Sequence, residues 1–104
     1  MKLWIDDVRP APKGYFHCKT VNQVKRIILG LEGEEQYYDG EGVELIDIDH
    51  DAGNYSEDGG DYIKLLDWLE ETGRNYPIRI HSMNPVGISN MRKIIQRNNW
   101  IEVI

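Results

Sequence analysis

Three short stretches hold most of the groups in this chain that can do chemistry. Asp6-Asp7 follows the apolar run Leu3-Trp4-Ile5, Asp49-His50-Asp51 follows Leu45-Ile46-Asp47-Ile48, and His81-Ser82 follows Ile78-Arg79-Ile80. Crowded carboxylates repel and are costly to desolvate, so they are kept close by a cation, a proton or solvent. Asp6, Asp7 and Asp49 offer oxygen ligands suited to Mg²⁺ or Mn²⁺, with water and phosphate oxygens filling the remaining positions. Asp51 either supports that metal shell or shapes the loop that follows. His50 and His81 add imidazole nitrogen, which widens the choice to Zn²⁺, Ni²⁺ or Fe²⁺. The structural alternatives are an acidic loop in water and a hydrogen-bonded strand-end histidine.

The same groups read as catalysts of phosphate chemistry. An imidazole titrates near neutrality, so His50 is a candidate general base or acid and His81 a candidate proton partner for a leaving oxygen. Ser82 either holds a phosphoryl oxygen through its hydroxyl or starts a turn, and Asn84 either meets substrate or caps a helix. Arg9 and Lys13 are the basic groups nearest the first acids that could reach a phosphate. Asp47 is the odd member: inside a strand it would bind a cation, cap a loop or be a buried acid held by hydrogen bonds.

Alternating elements must position these groups. Lys2 to Ile5 reads as a buried strand, and Arg9-Pro10-Ala11-Pro12-Lys13-Gly14 excludes a helix interior after it. Tyr15 to Cys18 reads as a second strand. Thr20 with Gln23 is a capping box opening a helix with Val21, Val24, Ile27, Ile28 and Leu31 on one face, and Gly30 and Gly33 mark its close. Positions 32 to 42 read as a solvated connection, with Tyr37 and Tyr38 folded back on the domain. Val43 to Ile48 is a strand, 49 to 60 a glycine-rich loop, and about 61 to 71 a helix opened by Asp58 or Asp61 and stopped at Gly73. Pro77 to His81 is a strand, Asn84 and Pro85 open a last helix, and Trp100 to Ile104 reads as a closing strand. Such alternation predicts a parallel sheet covered by helices on both faces, with ligands beyond the carboxyl ends of the strands. All three polar clusters fall at that end.

Composition narrows the classes. The 104 residues fit one domain spanning 1–104, with 12 basic and 18 acidic residues and a net charge of -6. The acidic middle would repel a phosphate backbone, so bulk duplex nucleic-acid binding is not expected, while a small phosphorylated substrate or a nucleic-acid end bridged by a cation is. No segment has the length and apolarity of a membrane span and no signal-peptide run is present, so a cytoplasmic location is expected. The single cysteine, Cys18, excludes an internal disulfide and reads as a small buried hydrophobe. Trp4, Trp68 and Trp100 read as packing groups, and neither nucleotide-binding glycine fingerprint is present.

Leu3-Trp4-Ile5-Asp6-Asp7-Val8-Arg9-Pro10, then Asp49-His50-Asp51 with Gly53, then His81-Ser82-Met83-Asn84-Pro85-Val86-Gly87 and Asn90-Met91 together resemble the cyclic-phosphate-processing receiver-like domains, derivatives of response-regulator receivers. The resemblance implies a doubly wound, five-stranded parallel α/β sheet of order 2-1-3-4-5, with the first helix reduced to the Arg9 to Gly14 loop. It also implies that Asp6 and Asp7 are the Mg²⁺-holding acidic pair, that Asp49 stands at the phosphoacceptor position, and that Ser82 is the hydroxyl residue after the fourth strand. The lack of a lysine after the last strand counts against phosphorylation-driven signalling, and the added His50 and His81 point instead to the family's role, here a metal-dependent phosphoesterase acting on a cyclic phosphate. The alternative is a noncatalytic receiver-like module, phosphorylated on Asp49 or binding a partner protein.

Overall fold

The computed structural model describes residues 1–32 and 42–104; Gly33, Tyr37 and Tyr38 fall outside these. Four parallel strands, β1 (Lys2–Ile5), β2 (Tyr15–Cys18), β3 (Leu45–Ile48) and β4 (Ile78–Ile80), pair in the order β2-β1-β3-β4. Three helices accompany them: α1 (Val21–Glu32), α2 (Ile63–Glu71) and α3 (Pro85–Arg97), with a short 3-10 turn at Gly53–Glu57. None is long and apolar enough to cross a membrane.

The fifth strand of the anticipated 2-1-3-4-5 sheet is not there. Trp100 to Ile104 contributes one bridge, Ile78 to Glu102, closed by bonds from the Ile78 N–H to the Ile101 carbonyl and from the Val103 N–H to the Ile78 carbonyl. Trp100 packs in part against the core, but Ile101 is 63% exposed and Ile104 fully so. With both isoleucines turned to solvent, pairing does not extend beyond that bridge.

Nor do the described helices lie on both faces of the sheet. Because strand side chains alternate, Leu3, Ile5, Cys18, Ile46, Ile48 and Ile78 share one face. They form a single buried cluster with Val21, Val24, Ile28 and Leu31 of α1, Leu65, Leu66 and Leu69 of α2, and Met91, Ile94 and Ile95 of α3. All three helices therefore cover the same side. The loop between β1 and β2 replaces the helix that would have gone to the other side, leaving Trp4, His17, Asp47 and Arg79 as neighbours across the opposite face.

Local signals explain most helix ends. The Thr20 hydroxyl accepts from the Gln23 N–H at 3.0 Å, while the Gln23 side chain accepts from the Lys19 N–H at 2.9 Å, one residue before the position a capping box would use. Asn84 caps α3 by accepting from the Gly87 N–H at 3.0 Å, with Pro85 next in the chain. At α2 neither suggested acid caps. Asp61 instead accepts from the Ala52 N–H at 3.1 Å, Asp58 accepts from Asn22 at 2.8 Å, and the helix opens after buried Tyr62.

Leu66→Ala should cost about 2–5 kcal/mol of unfolding free energy, as expected for a fully buried leucine. Ile101→Ala should stay within about 0.5 kcal/mol. Denaturant titration distinguishes them, and equal losses would mean that the closing segment is a core strand after all.

Candidate functional site

β1 and β3 are neighbours in register, with Ile5 opposite Ile48, so the residues that follow each strand emerge side by side. The Asp49 N–H bonds the Ile5 carbonyl at 2.9 Å, extending the ladder by one step. Asp6, Asp7 and Asp49 thereby bring one oxygen each within 4.8 Å of one another. Gly53 sits against this group at φ +56°, where a Cβ would lie 2.6 Å from Asp7 Oδ2. A side chain there would be both strained and in collision with the carboxylate.

The group fits a hard divalent ion: three carboxylates from two strand ends and no soft donor. Neither imidazole joins it among the described residues, so a histidine-based Zn²⁺, Ni²⁺ or Fe²⁺ centre is not what the geometry offers. Arg9 neutralises the acids, with Nε 2.8 Å from Asp6 Oδ2 and Nη2 3.2 Å from Asp49 Oδ2. An entering cation would take the place of this half-exposed side chain.

Asp6 is fully buried and every acceptor direction on it is used. Oδ1 accepts from the Val8 N–H at 2.9 Å and the Arg9 N–H at 2.8 Å, and Oδ2 accepts from Arg9 Nε and from His81 Nε2, the latter at 3.0 Å. Burial alone would raise the Asp6 pKa, but the backbone donors of Arg9 and Val8, the His81 bond and the Arg9 charge outweigh it and hold it below the ordinary value. For Arg9, burial is likewise outweighed by the charges of Asp6 and Asp49, which raise its pKa.

His81 is not free. Nδ1 lies 2.5 Å from Asp47 Oδ1, Nε2 faces Asp6, and the ring stacks on Trp4 with centroids 3.8 Å apart and planes 4° from parallel. Asp47 also accepts from Arg79 Nη1 at 3.1 Å. His50 differs. Its Nδ1 is 2.9 Å from Asp51 Oδ1, and Nε2 has no hydrogen-bond partner among the described residues. Its ring packs over Gly87, where a Cβ would come within 2.4 Å of Cγ.

The structure thus brings Asp6, Asp7, Asp49, Arg9 and His81 together, and sets Asp51 beside His50 instead of in the carboxylate group. Ser82 Oγ accepts from the Asn84 N–H at 3.1 Å, so it begins the turn while its own hydroxyl proton remains available. Asn84 is committed to its cap through Oδ1, with Nδ2 3.4 Å from Asp51 Oδ2. Lys13 is exposed, and among the described residues no ion pair or hydrogen bond ties it to the acids. Cys18 is buried, and burial pushes its thiol up to about 12, which suits a packing group and not a nucleophile.

Two members of the network are not legible in the sequence alone: Arg79 and the stacking role of Trp4. The signal for Arg79 lay in its position, two residues before His81 as Asp47 is two before Asp49, which puts them side by side on parallel neighbours.

Comparison with known families matches residues 1–97 to the cyclic-phosphate processing receiver domain. The chain belongs to that family. Searches of curated proteins and of solved structures returned no match. In this cyclic-phosphate processing receiver domain, the acidic pair after β1 and the acid after β3 form the candidate metal site, and the histidines divide into a bonded one, His81, and one with an open nitrogen, His50.

The depressed Asp6 pKa has a definite sign. Its contribution to stability is complete above the unfolded-state value near 4 and is lost as pH falls through the lower folded-state value. Metal-free protein should lose unfolding free energy as pH drops below about 4. Asp6→Asn should be less stable at neutral pH by on the order of 1–3 kcal/mol and show a shallower acid limb. Urea melts across pH 2.5 to 7 check both.

Proposed function

We propose that this domain is a divalent-metal-dependent phosphoesterase that opens a cyclic phosphate, with 2',3'-cyclic phosphates at nucleotide or RNA ends as the substrate class. The observation that carries this reading is the Asp51–His50 pair directly after Asp49, whose carboxylate accepts from the His50 N–H. Asp51 orients the ring through Nδ1 and leaves Nε2 open, an arrangement suited to taking a proton from water. Family membership supplies the phosphate, and the Asp6, Asp7 and Asp49 group supplies a place for a cation beside it.

A divalent ion held there would offset the negative charge of the phosphoryl group and favour ionisation of water. The remaining work falls to the chain. His50 Nε2 accepts the proton of the attacking water, whose oxygen forms a new bond to phosphorus while one ring P–O bond breaks, and the released oxygen takes up a proton. Arg9, once displaced from the acids, would be free to hold a phosphoryl oxygen. The Ser82 hydroxyl and the first-turn N–H groups of α3 that Asn84 does not occupy are further donors to that anion.

The noncatalytic receiver alternative places a phosphoryl group on Asp49. In this structure Asp49 Oδ1 accepts from the His50 N–H at 2.8 Å and Oδ2 pairs with Arg9, so this reading needs the same displacement of Arg9 that cation binding needs.

Incubation with 2',3'-cyclic nucleotides and Mn²⁺ or Mg²⁺, with products resolved by chromatography, tests the reading. Ring-opened monophosphate is expected, with Asp49→Ala and His50→Ala each slower by at least about 10²-fold. No turnover above the Asp49→Ala background would overturn it. An acid-labile adduct from a small phosphodonor, abolished in Asp49→Asn, would favour the receiver module instead.

A further inference from the structure

Asp47 has no part in the proton and phosphate chemistry above, yet it is fully buried within a strand. Its neighbours Ile46 and Ile48 show what the strand takes where packing alone decides. Asp47 points away from them, to the face that no helix covers, where Trp4 and Arg79 flank it in register. A buried carboxylate is stable only with donors, and an apolar residue at that spot would need none. What the acid does for its partners is therefore the question.

Its partner His81 has no freedom left. The ring lies flat on Trp4, Nδ1 is bound by Asp47, and the backbone N–H bonds the Ile48 carbonyl at 2.9 Å. A carboxylate only accepts, so both ring nitrogens donate, Nδ1 to Asp47 and Nε2 to Asp6 Oδ2. Of the donors on Asp6, the two backbone N–H groups cannot leave and His81 is locked. Only the Arg9 side chain, 42% exposed, can. The direction on Oδ2 that an entering cation can use is thus the one Arg9 Nε vacates, because His81 holds the other.

We propose that Asp47 is a positioning residue for the metal site: anchored by Arg79, it locks His81 so that one defined lone pair of Asp6 Oδ2 faces the cation. The arrangement is a carboxylate–imidazole–carboxylate relay, in which the outer acid orients an inner ligand it never touches. It rests on Asp6 serving as a ligand in the phosphoesterase site proposed above. His81 accordingly supports the cluster and does not transfer protons to substrate.

Isothermal titration with Mn²⁺ tests this without reference to turnover. Asp47→Ser, which cannot reach Nδ1, should bind Mn²⁺ about 10- to 100-fold more weakly, and His81→Gln should fall in the same range. Asp47→Asn keeps an acceptor oxygen for Nδ1 and should recover most of the affinity. Leu66→Ala, which weakens the fold elsewhere, should bind like the wild type, so loss of stability alone does not produce the pattern. A downfield imidazole N–H proton from His81 should be seen by NMR in the wild type and in Asp47→Asn. Should Asp47→Ser not fold, His81→Gln and the NMR signal decide. Wild-type affinity in folded Asp47→Ser or in His81→Gln would overturn the proposal, as would a wild type that binds no Mn²⁺. Wild-type protein that binds Mn²⁺ with this mutational pattern but opens no cyclic phosphate would overturn the phosphoesterase reading alone.

Discussion

Two carboxylates, Asp6 and Asp47, are buried without any solvent contact, and the rest of the site is arranged around satisfying them. A lone ionised carboxylate in such a place would be prohibitively costly, so each needs donors of fixed geometry. Asp6 draws two from the turn after β1, one from Arg9 and one from His81, while Asp47 draws on Arg79 and His81. His81 joins the two acids, so neither can be removed without leaving the other's donor unpaired. No buried side-chain polar atom among the described residues lacks a partner. In a small protein, where a few kcal/mol is a large share of the total stability, that completeness is what makes the cluster tolerable.

How much of this could be read from the chain depended on range. The three polar clusters were placed correctly at strand ends, because an apolar run that stops abruptly in charge is a local signal. The N-cap at Asn84 and the turn at Gly73 (φ +68°) were legible for the same reason. Asp47 was not, because its meaning depends on which face of the sheet is covered, and that follows from the path of the whole chain. The Arg9 to Gly14 loop takes the place of a helix, and only once its consequence for the sheet is known does an acid inside β3 make sense. Composition misleads at the closing segment: Ile101 and Ile104 have strand-forming side chains, but both are largely exposed.

The uncovered face shows how a two-layer arrangement persists without a second helical layer. Trp4 lies under His81 on one side and meets Tyr15 edge-on at 6.0 Å, while its indole N–H donates to the Arg9 carbonyl at 3.0 Å. Lys2 reaches over the Tyr15 ring, and His17 donates to the Asp6 carbonyl at 2.7 Å. Long polar side chains and one loop do the covering, through hydrogen bonds that an apolar helix face would not supply. The last of these contacts return to the turn that carries Asp6 and Arg9, so covering the face and building the site are one task.

Register couples the two layers. Side chains on a strand alternate, so a shift of β3 by one residue would carry Asp47 into the leucine-rich core and turn Ile46 and Ile48 outward to face Trp4 and Arg79. Both errors would be severe at once: an unpaired acid among Leu65, Leu66 and Leu69, and a His81 with nothing to hold it. The same shift would draw Asp49 away from Asp6 and dissolve the three-carboxylate group, because Asp49 is placed by its ladder bond to Ile5. The apolar face and the acidic cluster therefore select the same pairing independently. A site spread over three strand ends needs no long-range design beyond that, since once β1, β3 and β4 are in register the residues after them have nowhere else to go.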